Sequence, residues 1–412
     1  MLKDSVNRRY RIAGIVLCAT IVVSPILTII NPPILTNYYV ALLQTCFALL
    51  IAPELIKKSS CVIKSLSIRV FFLCFAVCGA GWFVQGINAA DFSRTFIYAL
   101  QPLFILAALF WFRWAGDAGL ETLNRVKLLT VLGTILYIFI VFSINDVPNL
   151  DWRIAENIPI YYNIRHLNIE IAFVVMIGAI FWLFSPSRYG RTSWILFILL
   201  GYVSLWTAGR GQIIAFYLFL GFLAYAQSSR ALRFKTHKPL VAFTLGALIC
   251  GIVNPELVAW LFGRATTGSA NQILAGRIVI WIKCLKLAIS SWWSAFFGLG
   301  PDAFVRYQIL KLTFHPHNSV IQFFLEFGLV GLSGLFALIM MFIKSAARVY
   351  TGSPASPIAR GVAAALAALL LYSFTDGIFY HASPLMMSML LVAFVLSKDD
   401  TVQMEPMDWQ ER

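Results

Sequence analysis

The feature that most constrains this chain is its succession of apolar runs, each close to the length that crosses a bilayer. A hydrocarbon core of roughly 30 Å takes about 17–25 apolar residues as helix, since lipid offers an open backbone group no partner. Such windows fall at 12–30, 36–54, 67–88, 94–112, 126–144, 167–184, 192–208, 211–227, 239–257, 319–343, 361–377 and 382–397. The stretch 192–227 decides the count. As a single helix it would run about 54 Å, far beyond the core. Dividing it at Gly209-Arg210-Gly211 gives two spans and a tight turn, for which two glycines supply the backbone freedom. Composition agrees: 60% of the 412 residues are hydrophobic and 12% charged, whereas soluble domains run at roughly 45–50% and about 25%. The prediction is an all-α, polytopic integral membrane protein of about 12 transmembrane helices. No internal repeat or low-complexity tract breaks it up, so residues 1–412 form a single transmembrane domain.

The formal net charge of +14 would suggest nucleic acid in a soluble protein. Here it reflects Lys and Arg that set topology, and no nucleic-acid partner is expected. Twelve spans put both termini on one side. That side also holds segments 55–69, 113–127, 185–191, 228–238 and 344–360, and it carries 22 of the 32 Lys and Arg. The positive-inside rule makes it cytoplasmic and explains those cations as anchors. The opposite side has two sizeable segments, 145–166 and 258–318. The second lies between transmembrane helices 9 and 10 and contains an amphipathic helix over 271–289. Arg8, Arg9 and Arg11 precede a first run with no small-residue cleavage site, so the first helix is expected to be retained. The seven cysteines lie in or beside apolar segments; Cys74 and Cys78 read as small buried hydrophobes.

Ten cations remain on the outer side, against the rule: Arg94, Arg153, Arg165, Arg210, Arg264, Arg277, Lys283, Lys286, Arg306 and Lys311. Four of the five histidines, His166, His315, His317 and His381, join them; His237 does not. Arginine and histidine gathered at one face suit an anionic, phosphate-bearing ligand. Arg210 interrupts 36 otherwise apolar residues, so it should point into the bundle or a wet cavity, or snorkel to outer headgroups. On a helix over 271–289, Lys283 and Lys286 sit about 240° and 180° around from Arg277. If the lysines meet headgroups, Arg277 faces the protein. In His315-Pro316-His317-Asn318, proline keeps its predecessor extended, and Asn318 or Ser319 can cap the span that follows. His317 would then stand at the outer mouth beside a helix N-terminus, which favours anions, and imidazole suits a general base near neutral pH. Glu170, Glu326 and Asp376 lie in or near spans, where an ion pair or hydrogen bond to a neighbouring helix is the commoner role. Gln322 and Glu326 are four apart and can satisfy one another. Trp292, Trp293, Phe296 and Phe297 read as interface-seeking aromatics with no site implied. No Asp-x-Asp pair or His/Glu cluster is visible on the outer side, so no metal is expected.

Residues 276–332 resemble the O-antigen ligase and O-antigen polymerase family. The likeness runs from Gly276-Arg277 and Trp281 through Phe297-Gly298-Leu299-Gly300-Pro301 to His315-Pro316-His317-Asn318-Ser319, and ends with Glu326-Phe327-Gly328-Leu329-Val330-Gly331-Leu332. Gly209-Arg210-Gly211 is similar to that family's other arginine motif. The resemblance implies a membrane-embedded, GT-C-like glycosyltransferase with a large periplasmic loop, multi-pass in the bacterial inner membrane, its active site facing the periplasm. Its donor would be O-antigen glycan on undecaprenyl diphosphate and its acceptor a sugar hydroxyl of lipid A–core, with no metal and no cofactor. Arg210 and Arg277 would bind the diphosphate, and His317 would be the catalytic base. Arg165, His166, His315 and Asn318 would be possible substrate-binding residues. A single displacement would invert the anomeric centre. Polymerases use the same donor on another repeat unit, and protein O-oligosaccharyltransferases use it on protein. A transporter of an anionic lipid or solute would more commonly show repeated halves, which are absent.

Overall fold

The computed structural model describes residues 2–30, 33–62, 66–86, 93–144, 165–185, 190–226, 235–259, 261, 277–309, 315–351 and 356–399. Among these the chain is helical and no strand occurs. The helices are α1 (Leu2–Ile30), α2 (Pro33–Val62), α3 (Leu66–Val84), α4 (Ser93–Ile144), α5 (Arg165–Phe184), α6 (Arg191–Trp206), α7 (Arg210–Ala226) and α8 (His237–Val253). Then follow α9 (Arg277–Ala288), α10 (Trp292–Phe297), α11 (Ala303–Arg306), α12 (Ser319–Thr351), α13 (Pro357–Ser373) and α14 (Ala382–Ser397). Four of them, α1, α4, α5 and α12, are long and apolar enough to cross a membrane; α3, α6, α7, α8, α13 and α14 are apolar but shorter. Each of the twelve apolar windows coincides in the main with one of these helices or with half of one.

Two helices carry breaks that the apolar pattern does not announce. Helix α4 is interrupted at Gly116 (φ 60°, ψ −150°), so the windows 94–112 and 126–144 lie on its two halves. The expected loop over 113–127 is therefore helical on both sides of one residue. Helix α12 breaks at Gly328 (φ 62°, ψ −165°), where a single span from Ser319 was expected. Both glycines occupy a region of backbone space that essentially only glycine enters. The segment 258–318 holds α9, described only from Arg277 to Ala288 of the expected 271–289; residues 271–276 lie outside the described residues, as do 145–164. Helix α10 starts with a capping box in which Ser291 and Ser294 exchange side-chain and backbone hydrogen bonds.

Helix α5 is the largely buried centre, packed by α4, α7 and α13, and α14 lies against α4 and α13. Within this centre Lys127 of α4 and Glu170 of α5 form an ion pair, with side chains only 1% and 2% exposed. Glu170 thus plays the expected structural role, whereas Lys127 is no surface anchor. Desolvating both charges is repaid only with further partners, and Ser383 supplies them: its hydroxyl donates to Glu170 at 2.9 Å and accepts from Lys127 at 3.4 Å. At one end of the bundle, Lys398 pairs with Asp117 and Arg348 with Asp399, at 2.8 and 2.7 Å. This joins three segments that the charge count assigns to one side. The opposite end gathers the α6–α7 turn, residues 277–309 and 315–318, and the α13–α14 connection.

Candidate functional site

The site begins where α12 begins. Asn318 is the N-cap: its side-chain oxygen accepts from the backbone N–H groups of Val320 and Ile321, both at 3.0 Å. Its side-chain amide donates to the Phe374 carbonyl at 3.0 Å, which ties the helix start to the α13–α14 connection. The cap and the Phe374 contact engage the Asn318 side-chain oxygen and one of its two amide N–H groups. His317, just before it, takes a left-handed backbone (φ 55°), which bends the chain between Pro316 and the helix start. That bend turns the His317 N–H onto Nδ1 of His315 at 3.2 Å and sets the two rings 4.2 Å apart. His315 is buried, stacked on Tyr380 at 5.1 Å and edge-on to His381 at 5.3 Å. The two histidines therefore differ. The His315 Nδ1 lone pair is engaged, while His317 stays partly exposed.

The partner of His317 comes from 59 residues away: its Nδ1 lies 3.3 Å from Oδ1 of Asp376. Asp376 also accepts from the Tyr372 hydroxyl at 3.3 Å and from the Gly377 N–H at 2.8 Å. Burial alone would raise this carboxyl's pKa. The His317 hydrogen bond and the nearby charges of His317, Arg277 and His315 outweigh burial and hold it well below the usual carboxylate range. In the tautomer whose Nδ1–H donates to an ionised Asp376, Nε2 carries the ring's lone pair. A side chain at position 377 would collide with the His315 ring, so glycine there is a condition for this close approach.

Arg277 and the Arg210 turn meet the same connection. The Arg277 guanidinium donates to the Thr375 carbonyl, one residue from Asp376. It shares the buried face of α9 with Ile280, Cys284 and Ala288, while Lys283 and Lys286 are exposed, as the helical angles predict. Trp281, on that face, donates to the Pro316 carbonyl at 2.9 Å. Arg210 is the first residue of α7 and half-buried. The turn before it lies where expected, but for another reason: its left-handed residue is Ala208 (φ 55°), not a glycine. The glycines serve close approach instead. A side chain at 211 would meet the Tyr372 ring and the Thr375 hydroxyl, and one at 209 would meet Asn168. Arg165 and His166 open α5, and their side chains lie outside the described residues. The same helical turn reaches the site through Asn168, which accepts from the Thr207 hydroxyl.

The remaining motif residues build the frame. Because α12 breaks at Gly328, the carbonyls of Leu325 and Glu326 accept instead from the N–H groups of Leu299 and Gly300, both at 2.9 Å. A side chain at Gly298 or Gly328 would strike the opposing backbone. Helix α3 closes the joint: Trp82 donates to the Phe297 carbonyl at 2.7 Å, Gln85 to Gly298 at 3.2 Å and Cys78 to Phe327 at 3.2 Å. Gln322 donates to Glu326 at 3.3 Å, the expected mutual satisfaction. Trp292 and Phe296 are exposed, as interface-seeking aromatics should be, whereas Phe297 belongs to the frame.

Sequence inspection missed Asp376, Tyr372 and Tyr380. Asp376 was visible as an acid near a span end, but nothing in the chain's order pairs it with His317. The same distance in sequence separates another grouping. Ligand atoms of His315, His317 and Asp376 lie within 4.8 Å of one another, a group able to hold a metal ion that motif spacing did not reveal. No protein-family model and no curated protein matches the chain.

Proposed function

We propose that this protein is an O-antigen ligase: a membrane glycosyltransferase, with twelve transmembrane helices of GT-C-like architecture, that passes O-antigen glycan from undecaprenyl diphosphate to a sugar hydroxyl of lipid A–core. The observation that carries this reading is the His317–Asp376 pair with Arg277 and the Arg210 turn packed onto the same short connection. A base oriented by a carboxylate beside guanidinium groups is the equipment for moving a glycosyl group off a phosphate. The acceptor hydroxyl gives its proton to Nε2 of His317 while its oxygen attacks the anomeric carbon. The bond to the diphosphate oxygen breaks, and undecaprenyl diphosphate leaves with the bonding electrons. Charge grows on that leaving group, where Arg210 and Arg277 stabilise it in place of a metal. Attack from the face opposite the leaving group inverts the anomeric configuration. The Lys and Arg bias supports a site on the non-cytoplasmic face, which in this reading is the periplasmic face of a bacterial inner membrane. Deleting the gene and separating the lipopolysaccharide tests the reading. Loss of all long chains with accumulation of lipid-linked glycan supports a ligase; core bearing one repeat indicates a polymerase; unchanged lipopolysaccharide rejects both.

A further inference from the structure

The geometry points to a second property of this end of the bundle: a reversible binding site for a borderline transition cation such as Zn²⁺, formed by His315, His317 and Asp376, whose occupation switches the site off. One ring nitrogen from each histidine and one carboxylate oxygen from Asp376 lie within 4.8 Å of each other. Two imidazoles and a carboxylate form a donor set that zinc, copper and nickel accept; magnesium and calcium prefer all-oxygen shells. Ligand separations in a tetrahedral zinc site follow from bonds of roughly 2.0–2.1 Å, so the three groups need to draw together by about an ångström. None of the three lies inside a helix. His317 lies in a bend before α12, and Asp376 lies in the connection between α13 and α14.

The surroundings set both the hold and its limit. Tyr380 stacks on His315 and Tyr372 donates to Asp376, so two ligands already have neighbours that orient them, as outer-shell groups do in metal sites. Arg277, on the Thr375 carbonyl beside Asp376, puts a positive charge next to the site and weakens a dication's binding. This favours a cation that exchanges over a permanent structural metal. The consequence rests on the proposed transferase reading. A metal on His317 consumes the lone pair that would take the acceptor's proton, so the cation is an inhibitor and not a cofactor.

The test is zinc titration of the purified full chain in detergent, with any polyhistidine tag removed, followed by calorimetry and by glycan transfer in parallel. One Zn²⁺ should bind per chain, unaffected by excess Mg²⁺. His315→Ala and the isosteric Asp376→Asn should each weaken it by at least about 10–100-fold, while His237→Ala at the other end leaves it unchanged. Absence of saturable binding, or binding equally tight in both variants, overturns the site. Chelator-stripped protein should transfer glycan and lose that activity as zinc fills the site. Stripped protein that is inactive until zinc is added overturns the inhibitory role. Zinc binding that depends on these residues in a protein with no transferase activity leaves the site standing and removes the proposed function instead.

Discussion

At His317 the two ring nitrogens have different duties. Nδ1 is held by Asp376, and in the proposed reaction Nε2 takes the acceptor's proton. Asp376 is therefore a positioning residue. Asp376→Asn should lower kcat by between about 10-fold and the roughly 10⁴-fold that an orienting carboxylate contributes in a serine-protease triad. KM for the lipid-linked donor should stay near its original value; a merely structural carboxylate would not separate the two constants in this way. The arginines make a second prediction. Arg210→Lys and Arg277→Lys should each remove most activity despite keeping the charge, because lysine lacks the planar fork that grips phosphate oxygens in pairs. Lys283→Ala and Lys286→Ala, exposed on the far face of α9, should be mild. Equal damage from all four in a transfer assay would contradict the face assignment. Arg277, His317 and the cap at Asn318 were legible because each rests on local geometry: a helical angle, a proline, the start of an apolar run. Asp376 and Tyr380 were not, since they reach the site only through folding of a distant connection.

Among the elements, the joint between α10 and the break in α12 ties the segment before the site to the helix that carries its cap. Gly298 (φ 75°) and Gly328 (φ 62°) have backbones that other residues rarely adopt, and each faces backbone atoms at a distance no side chain permits. Gly298→Ala and Gly328→Ala should each lose about 1–3 kcal/mol from backbone strain alone, and more from the collision, read as a lower melting temperature in detergent. Gly133→Ala is the control. It lies in α4 with open space around it, and should be neutral or slightly stabilising. The apolar windows located the helices closely, because hydrophobic length survives without tertiary context. The breaks at Gly116 and Gly328 escaped, because an apolar run reads the same whether its helix is continuous or bent. The break at Gly328 goes with a partner segment distant in the chain, where the N–H groups of Leu299 and Gly300 take the carbonyls of Leu325 and Glu326.

At the scale of the whole molecule, the charge count and the contacts sort the segments in the same way. Asp117, Arg348 and the 398–399 pair meet at one end, and every candidate site residue with a described side chain lies at the other. A cysteine at the exposed position Lys286 should react with an impermeant thiol reagent from the periplasm in intact cells. One at Lys238 should react only after the inner membrane is breached, and the opposite pattern would invert the topology. The account as a whole stands on chemistry at His317, and reconstituted transfer tests it most directly. Purified protein is given undecaprenyl-diphosphate-linked O-antigen and lipid A–core, and the extended lipopolysaccharide is quantified beside donor binding. The wild type should form product without added metal. His317→Ala should form it about 10²–10⁴-fold more slowly, the usual contribution of a positioned base, with donor binding nearly unchanged. A fully active His317→Ala, or a wild type that binds the donor and transfers nothing, would contradict it.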